Sequence, residues 1–221
     1  MPSVPRPTPS LLSVNTGTAV PADWAGRLKR TAIDKSPAAG PVAVHTLGVA
    51  GDEQADRDNH GGPDKAVYAY SREDLDLWQE RLGRPLRDGV FGENLTTRGI
   101  DLGAVLIGER WRVGTVLLEA ALPRTPCGVF RSWMAETGWV KRFTAEGRTG
   151  VYLRVLGEGE LTAGDGITVV HRPGHGIGVA AAFRARYERD PDLLRRVLAV
   201  PGRSAVWEES AAALGVHPAE G

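Results

Sequence analysis

Val151-Tyr152-Leu153-Arg154-Val155-Leu156-Gly157-Glu158-Gly159-Glu160-Leu161-Thr162-Ala163-Gly164-Asp165-Gly166-Ile167-Thr168-Val169-Val170-His171 is the stretch that decides the fold. Its apolar runs, residues 151–156 and 167–171, have strand length, and Gly157-Glu158 and Gly164-Asp165-Gly166 punctuate the space between them. That space is too short for the crossover helix a parallel pair needs. The same pattern recurs at residues 11–15, 41–47, 66–70, 104–107 and 115–122, with Gly51-Asp52 and Gly108-Glu109 as further turns. Many short strands joined by glycine turns predict a closed or nearly closed β structure, mainly β with some α.

Two helices interrupt the strands. Ser71 is set to cap a helix in which Asp74 takes the reciprocal capping position, Leu75, Trp78 and Leu82 share a face, and Gly83 is the stop. A second follows Cys127, with Phe130, Trp133 and Met134 on one side and Gly138 as its stop; its aromatics read as core. After His171 the character changes. Residues 177–187 are rich in alanine and arginine, Asp190-Pro191 opens a further helix, and Ser204 caps a last one through Leu214. These three short helices form a module of residues 173–221 beside a β domain of residues 10–172, with residues 1–9 as a disordered, proline-rich lead-in. So small a module has little core of its own. Leu193, Leu194, Val197, Leu198 and Trp207 therefore need cover, from the β domain or from a second copy in a homodimer.

The 221 residues carry 27 basic and 27 acidic side chains, a net charge of zero that leaves no footprint for nucleic acid or an anionic membrane. No run is long and apolar enough to span a bilayer, and no secretory signal opens the chain. The single cysteine cannot form an internal disulfide. Cytoplasmic location is the expectation.

Chemistry concentrates in three segments. In the first, residues 51–65, carboxylates, Arg57, His60 and Lys65 crowd around Gly61-Gly62. Asp52, Asp56 and His60 recur every four residues, a ligand spacing only on a helix, and Asp58-Asn59 and Gly61-Gly62-Pro63 favour a loop. The better use of Arg57, His60 and Lys65 is to grip an anion, with backbone amides at the glycines and Asp56 among the acids that orient the bases. The second segment is Phe91-Gly92-Glu93-Asn94-Leu95. The third, Pro123-Arg124-Thr125-Pro126-Cys127, sets the only thiol after an arginine and two prolines. A free cysteine is ordinarily a small hydrophobe. Here Arg124 and the start of the next helix favour the thiolate, which attacks electrophiles or binds soft metals. Gly174-His175-Gly176-Ile177-Gly178 lacks the strand and ribose-binding acid of a dinucleotide site and reads as a linker. His45, His171 and His217 read as structural.

In order and spacing, Gly-Asp-x-Gln-Ala-Asp-x-x-x-His-Gly-Gly-x-Asp-Lys-Ala-Val-Tyr, Phe-Gly-Glu-Asn-Leu and Pro-Arg-x-Pro-Cys resemble the MOSC family, named for the C-terminal domain of molybdenum-cofactor sulfurases. Within it the likeness is to the YiiM-type bacterial branch, which carries a C-terminal three-helix domain; it covers about residues 10–172. The resemblance implies a MOSC-type β-barrel with peripheral helices that binds the molybdenum cofactor, a pyranopterin phosphate whose dithiolene holds the metal. Cys127 would be the molybdenum ligand. Asp56, Arg57, His60, Gly61, Gly62, Lys65 and Arg124 would bind the cofactor, and Glu93 and Asn94 would hydrogen-bond the pterin or the substrate nitrogen. The activity implied is reduction of N-hydroxylated compounds such as hydroxylaminopurines. Separate flavin and iron–sulfur proteins would supply the electrons, since one cysteine cannot hold a cluster. Two other readings use the same residues: a carrier in which Cys127 holds a persulfide or parks the cofactor without turnover, and a phosphate-ligand binding protein with an inert thiol.

Overall fold

The computed structural model of the chain describes residues 8–56 and 60–216. Most of the expected lead-in, together with Arg57, Asp58, Asn59 and His217, lies outside the described residues.

The eight strands of the largest sheet are β1 (Ser10–Thr16), β2 (Ser36–Pro37), β3 (Val67–Ser71), β4 (Leu95–Arg98), β5 (Arg110–Val113), β6 (Val116–Pro123), β7 (Val151–Gly157) and β8 (Ile167–His171). In space they run β8-β5-β6-β7-β3-β4-β1-β2. Neighbours are antiparallel except β3 and β4, which run parallel. Between those two the chain passes through α1 (Arg72–Leu82), the crossover a parallel pair requires. A three-stranded sheet of Val42–His45, Gly48–Val49 and Gly159–Leu161 and a small hairpin of Val20–Pro21 and Arg30–Thr31 complete the β structure.

The expected barrel is a curled sheet that does not close. β1 and the start of β8 meet at a single bridge, Ser10↔Gly166. Around it the Leu11 N–H donates to Asp165 O at 2.8 Å and the Ile167 N–H to Pro9 O at 2.9 Å. The rest of that edge of β1 is taken by β2, through Asn15↔Pro37 and Thr16↔Ser36. A continuous ladder from β8 has nowhere to form.

Residues 104–107 also depart from expectation: they are turns with one bridge, Leu106↔Gly178. Asp101 organises them, its carboxylate accepting from the Gly103 N–H at 3.0 Å and its carbonyl from the Ala104 N–H at 3.1 Å. The strand lies just beyond, at β5, where Arg110 and Arg112 face out while Trp111 and Val113 are buried. That period of two was present in the sequence.

α1 forms as expected: the Ser71 hydroxyl accepts from the Asp74 N–H at 3.1 Å, and the helix ends at Gly83. α2 (Gly128–Met134) stops earlier than Gly138, at Ala135, and Gly138 instead precedes a third helix, α3 (Trp139–Glu146). Trp78, Phe130, Trp139 and Phe143 of these helices are core, with Trp78 and Trp139 4.7 Å apart and Phe130 5.1 Å from Phe91, whereas Trp133 is only partly buried and stacks on the exposed Trp24. After the linker come α4 (Val179–Arg184), continuing as a π-turn over Ala185–Arg189, then α5 (Pro191–Leu198) and α6 (Val206–Ala212). Asp190 caps α5, accepting from the Asp192 and Leu193 N–H groups at 3.0 Å. α6 begins two residues beyond Ser204, whose hydroxyl still accepts from the Val206 N–H at 3.4 Å. Leu194, Val197, Leu198 and Trp207 are buried and join the same hydrophobic core as the sheet. Among the described residues no helix is long and apolar enough to cross a membrane.

Candidate functional site

β3 and β7 contribute Tyr68 and Tyr152 to the site, and β6 leads into it. Tyr152 on β7 pairs directly with Tyr68 on β3, and their rings lie 5.1 Å apart. Pro123, the last residue of β6, pairs with Val151, so the chain leaves the sheet beside those rings as Arg124-Thr125-Pro126-Cys127. Arg124 is buried, with its guanidinium 4.9 Å from the Tyr68 ring and 4.2 Å from the Phe130 ring. One of its N–H groups donates to the Phe91 carbonyl, while its Nε has no partner among the described residues. Burial works against the Arg124 charge, but the nearby Tyr68, Tyr152 and Cys127 groups hold its proton above the ordinary range.

Cys127 sits at the entry to α2, and its sulfur accepts from the Phe130 N–H at 3.4 Å. Burial alone would push the thiol up. A hydrogen bond from His60, the charge of Arg124 and the Phe130 N–H outweigh it, and the thiol is brought down to about 6. His60 is positioned by Asp56: its N–H donates to the Asp56 carbonyl at 2.8 Å, and its Nδ1 lies 3.6 Å from the carboxylate. Gly62, at φ 87°, turns the chain so that its carbonyl accepts from the Lys65 N–H at 3.1 Å, closing the 3-10 turn Pro63–Lys65.

The Phe91–Leu95 segment divides in function. Asn94 lines the cleft. Its amide donates to Asp52 at 2.9 Å and to the Asn15 carbonyl at 3.3 Å, and it accepts from the Tyr68 N–H at 3.1 Å. Glu93 is fully buried and does not line the cleft. Its carboxylate accepts from the Gly89 N–H at 2.5 Å, the Phe91 N–H at 2.9 Å and the Thr96 hydroxyl at 3.1 Å. It folds the loop that offers the Phe91 carbonyl to Arg124. Gly89 is required there: at φ 83°, a Cβ would also stand 2.5 Å from the Lys35 carbonyl. Burial pushes the Glu93 carboxyl up to about 7, against the donors around it.

The cleft thus brings together Asp56, His60, Lys65, Asn94, Arg124 and Cys127 from three separated segments. Gly61 and Gly62 are not among the residues that line it, and Arg57 lies outside the described residues. Sequence reading missed Lys35, Tyr68 and Tyr152. Lys35 is buried in an ion pair with Asp52; burial lowers its proton affinity, and Asp52 opposes that. No local signal marks this lysine, since its partner comes from another loop. The tyrosines lay on strands whose facing was already legible, and their pairing was the missing information. Among the described residues no group of three or more His, Cys, Asp and Glu side chains could hold a metal ion, so Asp52, Asp56 and His60 do not form a metal site by themselves. The linker at Gly174–Gly178 leads into α4 with no strand after it, as expected of a connection.

The family model for the MOSC domain matches residues 56–168. The uncharacterised protein YflK of Bacillus subtilis is 36% identical over 203 residues, 91% of this chain and 92% of its own length. The chain belongs to the MOSC family. Within it, the crystal structure of YiiM from Geobacillus stearothermophilus superposes with a TM-score of 0.79 at 31% identity, covering 93% of this chain and 98% of that one. A fungal protein of Gibberella moniliformis named "Reductase" is 36% identical over 176 residues, 77% of this MOSC chain but 31% of its own length. The matched MOSC region contains every residue of the cleft that descends from the sequence motifs, apart from Asp52 to Ala55.

Proposed function

We propose that this MOSC protein binds the molybdenum cofactor and reduces N-hydroxylated compounds, hydroxylaminopurines among them, with Cys127 as the protein ligand to molybdenum. The observation that carries the reading is the state of Cys127: a single thiol at a cleft, held toward thiolate by His60, Arg124 and the Phe130 N–H. The residues fit the group. One soft donor, with no metal-binding cluster among the described residues, suits a metal whose remaining ligands arrive with a dithiolene. The family and the reductase name of the fungal relative support oxidoreductase chemistry.

When bound, the cofactor supplies two-electron redox chemistry. The chain's part is to hold and orient. Cys127 presents its sulfur, and Arg124 stabilises negative charge beside it from a water-poor position. Lys65 would hold the anionic end of the pterin, and the backbone amides of the Gly61-Gly62 turn would add to that hold. Asn94 is held by Asp52 and Tyr68 where it can hydrogen-bond a ring or a substrate nitrogen. The net reaction, R–NHOH + 2e⁻ + 2H⁺ → R–NH₂ + H₂O, needs electrons from separate flavin and iron–sulfur proteins. It also needs protons, which His60, half-buried between Asp56 and Cys127, can pass inward.

The test is metal analysis of protein made in a molybdate-replete, cofactor-competent host. The expected result is stoichiometric molybdenum with pterin in the wild type, and its loss in a folded Cys127→Ser variant. Full molybdenum content in that variant, or sulfane sulfur without metal in the wild type, would overturn the proposal.

A further inference from the structure

Tyr152 and Tyr68 face each other across β7 and β3, with a ring separation of 5.1 Å. Directly paired residues of antiparallel strands project from the same face, so both phenols rise from one surface of the sheet. Their placement is rigid. Gly150, at φ 65°, brings β7 in so close to β3 that a Cβ would stand 2.9 Å from the Tyr68 ring. Both tyrosines line the cleft that holds His60, Asn94, Arg124 and Cys127.

The two hydroxyls differ. That of Tyr68 donates to the Thr149 carbonyl at 2.8 Å. That of Tyr152 makes no hydrogen bond among the described residues. Tyr152 is only 9% exposed, and the walls it contributes to are those of the cleft and of a smaller cavity beside it. Its remaining exposure is therefore into the site. Packing against Tyr68 would be served equally well by phenylalanine, and a phenol buried to this extent ordinarily finds a partner. The surroundings keep the group neutral: burial pushes the Tyr152 phenol up, Arg124 opposes that and Cys127 adds to it. Tyr152 is thus a fixed O–H donor in the same cleft as the thiol, with no acceptor in the protein.

We infer that Tyr152 is a specificity-determining residue whose hydroxyl donates a hydrogen bond to the oxygen of the substrate N–OH group. The inference rests on the proposed function for the class of substrate and adds the residue that recognises its defining atom. The oxygen leaves as water in the net reaction, so the product amine offers Tyr152 no such acceptor. The hydroxyl therefore favours the N-hydroxylated form over its product, and the preference is lost once the N–O bond is broken.

The test is equilibrium binding of 6-N-hydroxylaminopurine and of adenine to the cofactor-loaded protein, measured by calorimetry with no electron donor present, so that neither is turned over. Wild type should bind the hydroxylated base more tightly. Tyr152→Phe should lose roughly 3- to 10-fold of that affinity, the worth of one neutral hydrogen bond, while adenine binds as before. Phenylalanine keeps the ring against Tyr68 and removes no hydrogen bond within the protein. The variant should therefore carry wild-type molybdenum and melt no lower than wild type. An unchanged preference in Tyr152→Phe would overturn the inference and leave the reductase reading standing. Equal losses for the two bases, or a thermal midpoint well below wild type, would also overturn it, by assigning the hydroxyl to packing. A wild type that does not distinguish the two bases would overturn the inference and the substrate reading together.

Discussion

Replacing Glu93 by glutamine tests how the Phe-Gly-Glu-Asn loop is built. The carboxylate is fully buried and accepts from the Gly89 N–H, the Phe91 N–H and the Thr96 hydroxyl. A glutamine of the same shape turns an amide NH₂ toward one of those donors, leaving a buried N–H unpaired at about 1–3 kcal/mol. Burial raises the folded carboxyl from its ordinary 4.5 to about 7. A raised carboxyl favours folding fully below the unfolded value and loses that contribution as pH climbs through the folded one. The gap corresponds to about 3 kcal/mol, lost by the wild type between about pH 4.5 and pH 7. Glu93→Gln cannot lose it, so the stability deficit of the variant should be largest near pH 5 and shrink by up to that amount near pH 8. Urea denaturation followed by tryptophan fluorescence at the two pH values measures the deficit directly, and groups common to both proteins cancel. A deficit independent of pH would refute the reasoning and show that the three donors hold Glu93 ionised throughout.

Arg124→Met leaves the Phe91 carbonyl buried without its donor, so the apo protein should lose about 1–3 kcal/mol in the same denaturation assay. Lys65→Met should weaken cofactor retention roughly 10- to 150-fold while moving the thermal midpoint of the apo protein little, and equal retention would make the loop a solvated face. Truncation after Arg172 removes Leu194, Val197 and Trp207 from a shared core. The remainder should therefore lose cooperative unfolding in calorimetry, and a truncated chain that melts as wild type does would show that the helices are only an appendage.

Much of this protein was fixed by local signals in the sequence. Apolar runs of strand length and glycine turns specified β1, β3, β6, β7 and β8, and Ser71, Gly83 and Asp190 marked helix ends, because strand length, capping and turn conformation depend on a few neighbouring residues. Segments 51–65, 91–95 and 123–127 were recognisable as one site from their chemistry alone. Tertiary structure decided what depends on distant partners. The curled sheet stays open because β2, not β8, takes the C-terminal half of one edge of β1. Lys35 enters the cleft because Asp52 offsets its burial, and Glu93 turns away from it because the backbone donors of its own loop capture the carboxylate. Tyr152 presents its hydroxyl to the cleft, whereas its sheet partner Tyr68 gives its own to the Thr149 carbonyl. Charge type and turn propensity are properties of a short segment, whereas burial and the pairing of charges exist only once the chain has closed on itself.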